Sequence, residues 1–300
     1  MEVRDINQKA LSLLGQQRWL EAQALFFENA KKNPSHETYN NLGWYLISEG
    51  LTCKNGSVRN ARKLGLKYLL KAFEMKKSSV NLCALAEANQ YATRGADKQK
   101  KQELYLQSYQ YLDQAQRMDC SSELLYNFLR LAFLLEMEDE SFLKNLRSVV
   151  KNLPCEETVS LYYEYLRKND LLDEGLQCIK TYGELLDEVD LLMFYAKFGI
   201  YDRGYDLCET IRQSFVIDKY LASAIIECYI NTGHFEEARI FAKETAAKSK
   251  QRDNWTSDVF ADLEKSVPYR YTLISDYPPT PLYMQQCCYY GCPQHGTSWN

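Results

Sequence analysis

The stretch Tyr229-Ile230-Asn231-Thr232-Gly233-His234-Phe235-Glu236-Glu237-Ala238-Arg239 decides the fold. An aromatic residue closes one helical pattern, a glycine sits where the chain must turn, and a second aromatic opens the next pattern, followed three places later by a small residue. The small residue has a steric reason: the second helix crosses the first of its own pair closely at that point. Working back along the chain, Gly204 takes this role in Phe198-Gly199-Ile200-Tyr201-Asp202-Arg203-Gly204, and Gly175 in Asn169-Asp170-Leu171-Leu172-Asp173-Glu174-Gly175. Ala22 does so in Gln17-Arg18-Trp19-Leu20-Glu21-Ala22. Asn41-Leu42-Gly43-Trp44-Tyr45 reads as part of a first helix, with its partner running from Gly65 to Ala72. Pro34 and Pro154 follow second helices, where a ring that cannot continue a helix ends it.

These anchors resemble the tetratricopeptide repeat. The resemblance implies an all-α chain, a right-handed α-solenoid of roughly seven antiparallel helix pairs, some of them degenerate. Residues 1–266 are expected to form this repeat domain, ended by a capping helix that carries Trp255, Val259, Phe260 and Leu263. Residues 267–300 form a tail outside the repeats. Loops at Leu51 to Asn60 and at Ala92 to Lys101 are similar to the longer loops of Sel1-like relatives.

Composition agrees with a stack of helices. Only two prolines precede residue 268 in this 300-residue chain, and strand-like alternation is scarce. A net charge of −4 implies neither nucleic acid nor an anionic membrane as partner. The first residues carry no apolar signal core, and no stretch approaches the roughly twenty apolar residues of a membrane span. A cytoplasmic protein is expected. Cys83, Cys178, Cys208 and Cys228 each stand alone among apolar residues of helical spacing, where a thiol behaves as a small hydrophobe. The glycosylation patterns at Asn55 and Asn254 are idle without secretion.

In the family, first helices of successive pairs line a groove that holds protein or peptide partners. The resemblance places Asn40, Trp44, Ile47, Glu87, Gln90, Glu164, Arg167, Met193 and Glu227 on that face. Trp44 has a second reading, as a contact to the neighbouring repeat. A clamp for an acidic peptide C-terminus needs several cations on consecutive first helices. Asn40 and Asn41 are present, but the helix around Asn81 to Ala88 supplies no basic partner, which disfavours it. The two long loops would bring Lys54, Arg59, Arg94, Lys98, Lys100 and Lys101 to one basic rim, suited to an acidic partner or simply to solvation.

The tail gathers five prolines and a dense set of tyrosines, a composition that favours extended structure. Two readings stand: an extended ligand in the chain's own groove, or a free segment. Cys287, Cys288, Cys292 and His295 form a potential zinc or copper(I) ligand set, and Cys292-Pro293-Gln294-His295-Gly296 resembles one knuckle of a zinc ribbon. No Cys-x-x-Cys occurs to supply a second knuckle, so no cofactor is otherwise implied. The vicinal thiols also suit a redox couple or covalent attachment, and the last residues look like the core of an enzymatically modified peptide. With three histidines, no phosphate-binding glycine loop and no HExxH, enzymatic activity is not expected. The sequence therefore points to a non-enzymatic adaptor that binds protein along its inner face, with a metal- or thiol-handling tail as the alternative.

Overall fold

A computed structural model of the protein describes residues 2–48, 58–214, 217, 219–248 and 288–290. Among the described residues the regular structure is helical throughout: fourteen α-helices and a 3-10 turn at Gly183–Leu185. The described residues divide into two compact units, one made of residues up to 153 together with 288–290, the other of residues from 154 to 248.

In the first unit the pairs are α1 (Val3–Gly15) with α2 (Trp19–Lys32), α3 (His36–Ser48) with α4 (Val58–Met75), α5 (Ser79–Ala92) with α6 (Lys98–Met118), and α7 (Ser122–Leu134) with α8 (Phe142–Asn152). In the second they are α9 (Glu156–Lys168) with α10 (Leu172–Tyr182), α11 (Glu188–Lys197) with α12 (Tyr201–Ser214), and α13 (Lys219–Asn231) with α14 (Phe235–Lys248). Polar caps start several of these helices by satisfying amides that have no partner within the helix. Ser78 accepts from Asn81 N–H at 3.2 Å, Asp97 from Lys100 N–H at 2.8 Å, and Asp187 from Asp190 N–H at 2.7 Å.

The small residues sit where backbones approach most closely. A Cβ added to Gly65 would lie 2.8 Å from the Gly43 carbonyl oxygen, so α3 and α4 cross at two glycines. Ser108 of α6 plays the same part against α5, its hydroxyl donating to the Ala86 carbonyl at 3.0 Å. Ala22 and Ala238 are fully enclosed. Two positions correct the sequence reading. A Cβ on Gly175 would meet the Phe194 ring at 2.4 Å, and one on Gly204 the Cys228 sulfur at 2.5 Å. Their tightest neighbours belong to the first helix of the next pair, so the missing side chain serves stacking between pairs. Cys208 and Cys228 are likewise not isolated: a hydrogen bond joins their thiols, and together with burial it pushes the Cys228 thiol far up.

Five of the described turns share one geometry. The residue after each of Gln17, Glu136, Asp170, Gly199 and Gly233 donates its N–H to the carbonyl five residues back, at 2.8–2.9 Å. Those five residues all have φ between 54° and 85°. This is the Schellman closure of a helix, which needs one left-handed residue. Glycine meets the need without strain at Gly199 and Gly233, whereas Gln17, Glu136 and Asp170 adopt it with a side chain present.

The expected loop from Ala92 to Lys101 is shorter in the structure. Asp97 caps α6, so Lys98, Lys100 and Lys101 belong to a helix rather than a loop. The expected capping helix lies outside the described residues.

Two substitutions in the full chain test the turn geometry by urea unfolding. Gly233→Ala should destabilise by about 1–2 kcal/mol, because open space around the Cβ leaves only the left-handed backbone to oppose it. Glu136→Gly should stabilise by roughly 0.5–1 kcal/mol, the relief of that strain less the entropy glycine adds to the unfolded chain.

Candidate functional site

Asn7 lies on the apolar stripe of α1, on the face that also carries Ala10, Leu11 and Leu14. A polar side chain at such a position must find a partner or lose roughly 1–3 kcal/mol. It finds one in Asn41 of α3, whose Nδ2 donates to Asn7 Oδ1 at 2.9 Å. Both carboxamides are 1% exposed. The pair leaves one acceptor and one donor available, and both engage the same residue. Tyr289 N–H donates to Asn41 Oδ1 at 2.6 Å, while Asn7 Nδ2 donates to the Tyr289 carbonyl at 2.8 Å. Two buried asparagines thus read the backbone of a single residue from the chain's own tail.

The side chains around that residue are held as closely. The Tyr289 hydroxyl lies 2.6 Å from Ser78 Oγ and 3.2 Å from His36 Nδ1. Its ring meets the His36 ring edge-on, with centroids 5.2 Å apart. Burial raises the Tyr289 phenol and lowers His36, each toward its neutral form, and Lys76 adds to the effect on His36. Cys288 is 2% exposed, inside the apolar cluster that contains Leu11, Leu14, Leu42 and Tyr45. Tyr290 turns the chain with φ 67°. Burial first, and then its hydrogen bond with Glu37, push its phenol up to about 12.

Residues 288–290 therefore form a turn seated on α1, α3 and the start of α5, where an extended tail was expected. Sequence reasoning placed Asn40 on the groove and weighed Asn41 only for a carboxylate clamp; it is Asn41 that meets Tyr289. One residue is a rotation of about 100° on a helix, enough to move a side chain to another face. Asn40, Trp44 and Ile47 are 0–4% exposed, and Trp44 and Ile47 belong to the packed core. Asn7, Glu37 and Ser78 were not anticipated. Their signals were a lone amide on an apolar stripe, an acid in a first turn and a cap residue.

The other expected groove residues are engaged within the chain. Arg130 of α7, itself buried, donates to Gln90 Oε1, so a cation does stand beside α5, and Glu87 lies close by on that helix at 9% exposed. In the second unit Arg167 is 4% exposed and pairs with Glu164 at 2.6 Å, and Tyr201 donates to Glu227 at 3.1 Å. Met193 is half-buried against the apolar cluster of α13 and α14. Ser160 donates to Asp190 at 3.0 Å; burial, helped by Asp187, nevertheless holds the Asp190 carboxyl up at about 7.

Of the expected basic rim, Lys98 and Lys101 are exposed, and Lys100 pairs with Glu103 at 2.9 Å. Arg94 stacks over the Tyr91 ring at 4.9 Å. Lys54 and the Arg59 side chain lie outside the described residues. So do Cys287, Cys292 and His295, leaving Cys288 alone of the expected metal ligands, its thiol enclosed by apolar side chains. No described helix is long and apolar enough to cross a membrane.

No family model and no curated protein matches the chain. Solved structures do. A tetratricopeptide repeat protein from Parabacteroides merdae aligns over 87% of this chain and 98% of its own, with TM-score 0.53 at 11% identity. A thermophilic TPR protein of Thermus thermophilus covers 88% and 98% at 13% identity, TM-score 0.42. Yeast Tom70 aligns over 83% of this chain and 59% of its own at 15% identity, TM-score 0.44. The first likeness shows that the chain has the tetratricopeptide-repeat fold; at such identities it shows the fold alone.

Two measurements probe the site. Site-resolved alkylation of the full chain should find Cys288 slow to react, and at least tenfold faster in Asn41→Leu, as expected when removing one partner costs on the order of 1.4 kcal/mol or more. The raised carboxyl of Asp190 binds its proton more tightly folded than unfolded. Stability should therefore fall as pH rises from about 4, the ordinary carboxylate value, to about 7. In Asp190→Asn the urea midpoint should show a shallower decline over that window.

Proposed function

We propose that this tetratricopeptide-type chain is a non-enzymatic scaffold that holds polypeptide segments on the first helices of its N-terminal unit. The observation that carries the reading is the seat built by Asn7, His36, Asn41 and Ser78 around Tyr289. Reading both backbone groups of one residue is how a peptide is gripped independently of most of its side chains, with pockets left to supply selectivity. The rest of the face fits a recognition surface, since polar pairs such as Gln90 with Arg130 are already positioned on rigid helices. The partner on this reading is protein, with no role for nucleic acid or membrane.

The reading includes a reducing, cytoplasmic setting. Cys83, Cys178, Cys208 and Cys228 are buried thiols in the apolar core, a use of cysteine that suits such a compartment. Burial pushes the Cys178 thiol up to about 12, which keeps it unreactive.

Paired affinity baits test the scaffold. Full-length Tyr289→Ala protein, whose seat is vacated, and the same protein with Asn7→Leu and Asn41→Leu added, with matching circular dichroism, are immobilised and exposed to cytosol. Polypeptides retained by the first bait should be lost from the second. Identical sets on both baits would remove the basis for placing recognition on this face.

A further inference from the structure

The seat is occupied by part of the chain that carries it, and its chemistry indicates what else it would take. Asn7 and Asn41 bind groups that every non-proline residue has, so they set a register without choosing a sequence. Choice comes from two other places. Cys288 is 2% exposed and shares a packed apolar cluster with Leu11, Leu14, Leu42 and Tyr45 among others, so a side chain much larger than a thiol would have to displace its neighbours. The Ser78 and His36 contacts require a hydroxyl at the far end of an aromatic ring. Phenylalanine would fill the same volume and leave both groups without that partner. The residue after the tyrosine must adopt a left-handed turn, as Tyr290 does.

No chain end enters into this description. The bound residues are internal to the tail, and the seat meets their backbone through neutral amides rather than cations. An acidic C-terminus is therefore not the ligand class. Resting on the scaffold reading above, we propose that the partner of this face is a polypeptide carrying an internal tyrosine preceded by a small residue of cysteine size, and that residues 288–290 are a tethered competitor for the same seat.

A ligand joined to its own receptor acts at an effective concentration of up to about a millimolar. A free segment of equal intrinsic affinity would therefore be masked in the intact protein and revealed when the tail's anchor is removed. Displacement of the tail is then the event that opens the face to a partner.

The probe is a fluorescently labelled, end-blocked synthetic peptide with the sequence of residues 285–291, its Cys287 replaced by serine to prevent an internal disulfide and a reductant present to keep the remaining thiol free. Binding is followed by anisotropy with the full chain. Tyr289→Ala protein should bind the probe at least tenfold more tightly than wild type. A probe with phenylalanine at the position of Tyr289 should bind that variant about tenfold more weakly, and adding Asn41→Leu to the protein should abolish binding. If Tyr289→Ala loses its helical circular dichroism, Tyr289→Phe replaces it and should show a smaller gain in the same direction. Equal affinity for wild type and the released variant, or no binding to the released variant, overturns the proposal. In that event alkylation of Cys288 tells the two readings apart: protection in wild type that is lost in Asn41→Leu leaves the seat standing for its own tail, while no protection removes the seat as well.

Discussion

The closeness of helix backbones where a side chain is missing is the constraint on which the rest depends. At Gly43 and Gly65 an added Cβ on either residue would lie 2.8 Å from the other's carbonyl oxygen, a distance that leaves no room for any side chain. Gly175 and Gly204 do the same work between consecutive pairs, against Phe194 and Cys228. Because the helices at these crossings lie so close to their neighbours, their orientation about their own axes is set with little slack. That fixed rotation is what allows Asn7 of one helix and Asn41 of another to meet at 2.9 Å without any intervening element.

The same rigidity explains why a peptide seat can be built from neutral groups. A flexible surface would have to order its side chains at each binding event, at about 0.5–1.5 kcal/mol apiece. Here the carboxamides are already buried and mutually bonded, and Ser78 is held by its capping bond to Asn81. The energy of each contact is modest, but none of it is spent on arranging the groups.

Much of the fold was legible because steric rules act locally. Gly175, Gly204, Ala22 and Ala238 declared the repeat through size alone, and Pro34 and Pro154 marked ends. The turns at Gln17 and Asp170 were legible from the small residues that follow them, but their left-handed backbone, like that at Glu136, was not, since the residue there is not glycine. Placement of the site was less legible. A shift of one residue separates Asn40 from Asn41, and composition cannot resolve a rotation of that size. Arg130 was missed because it comes from α7 to stand beside α5, a proximity set by stacking rather than spacing. The tail suggested an aromatic ligand for the groove, yet nothing in its composition singled out Tyr289 or the turn at Tyr290.

The asparagine relay has a further consequence. Asn41 presents an oxygen to the bound residue and Asn7 an amide nitrogen, because the bond between them engages the opposite end of each. The order acceptor then donor matches a strand threaded one way; a backbone laid antiparallel to it would set carbonyl against oxygen and N–H against nitrogen. Turning both carboxamides over together would keep the bond between them and exchange oxygen for nitrogen toward the bound backbone, so the same two residues can serve a strand of either polarity.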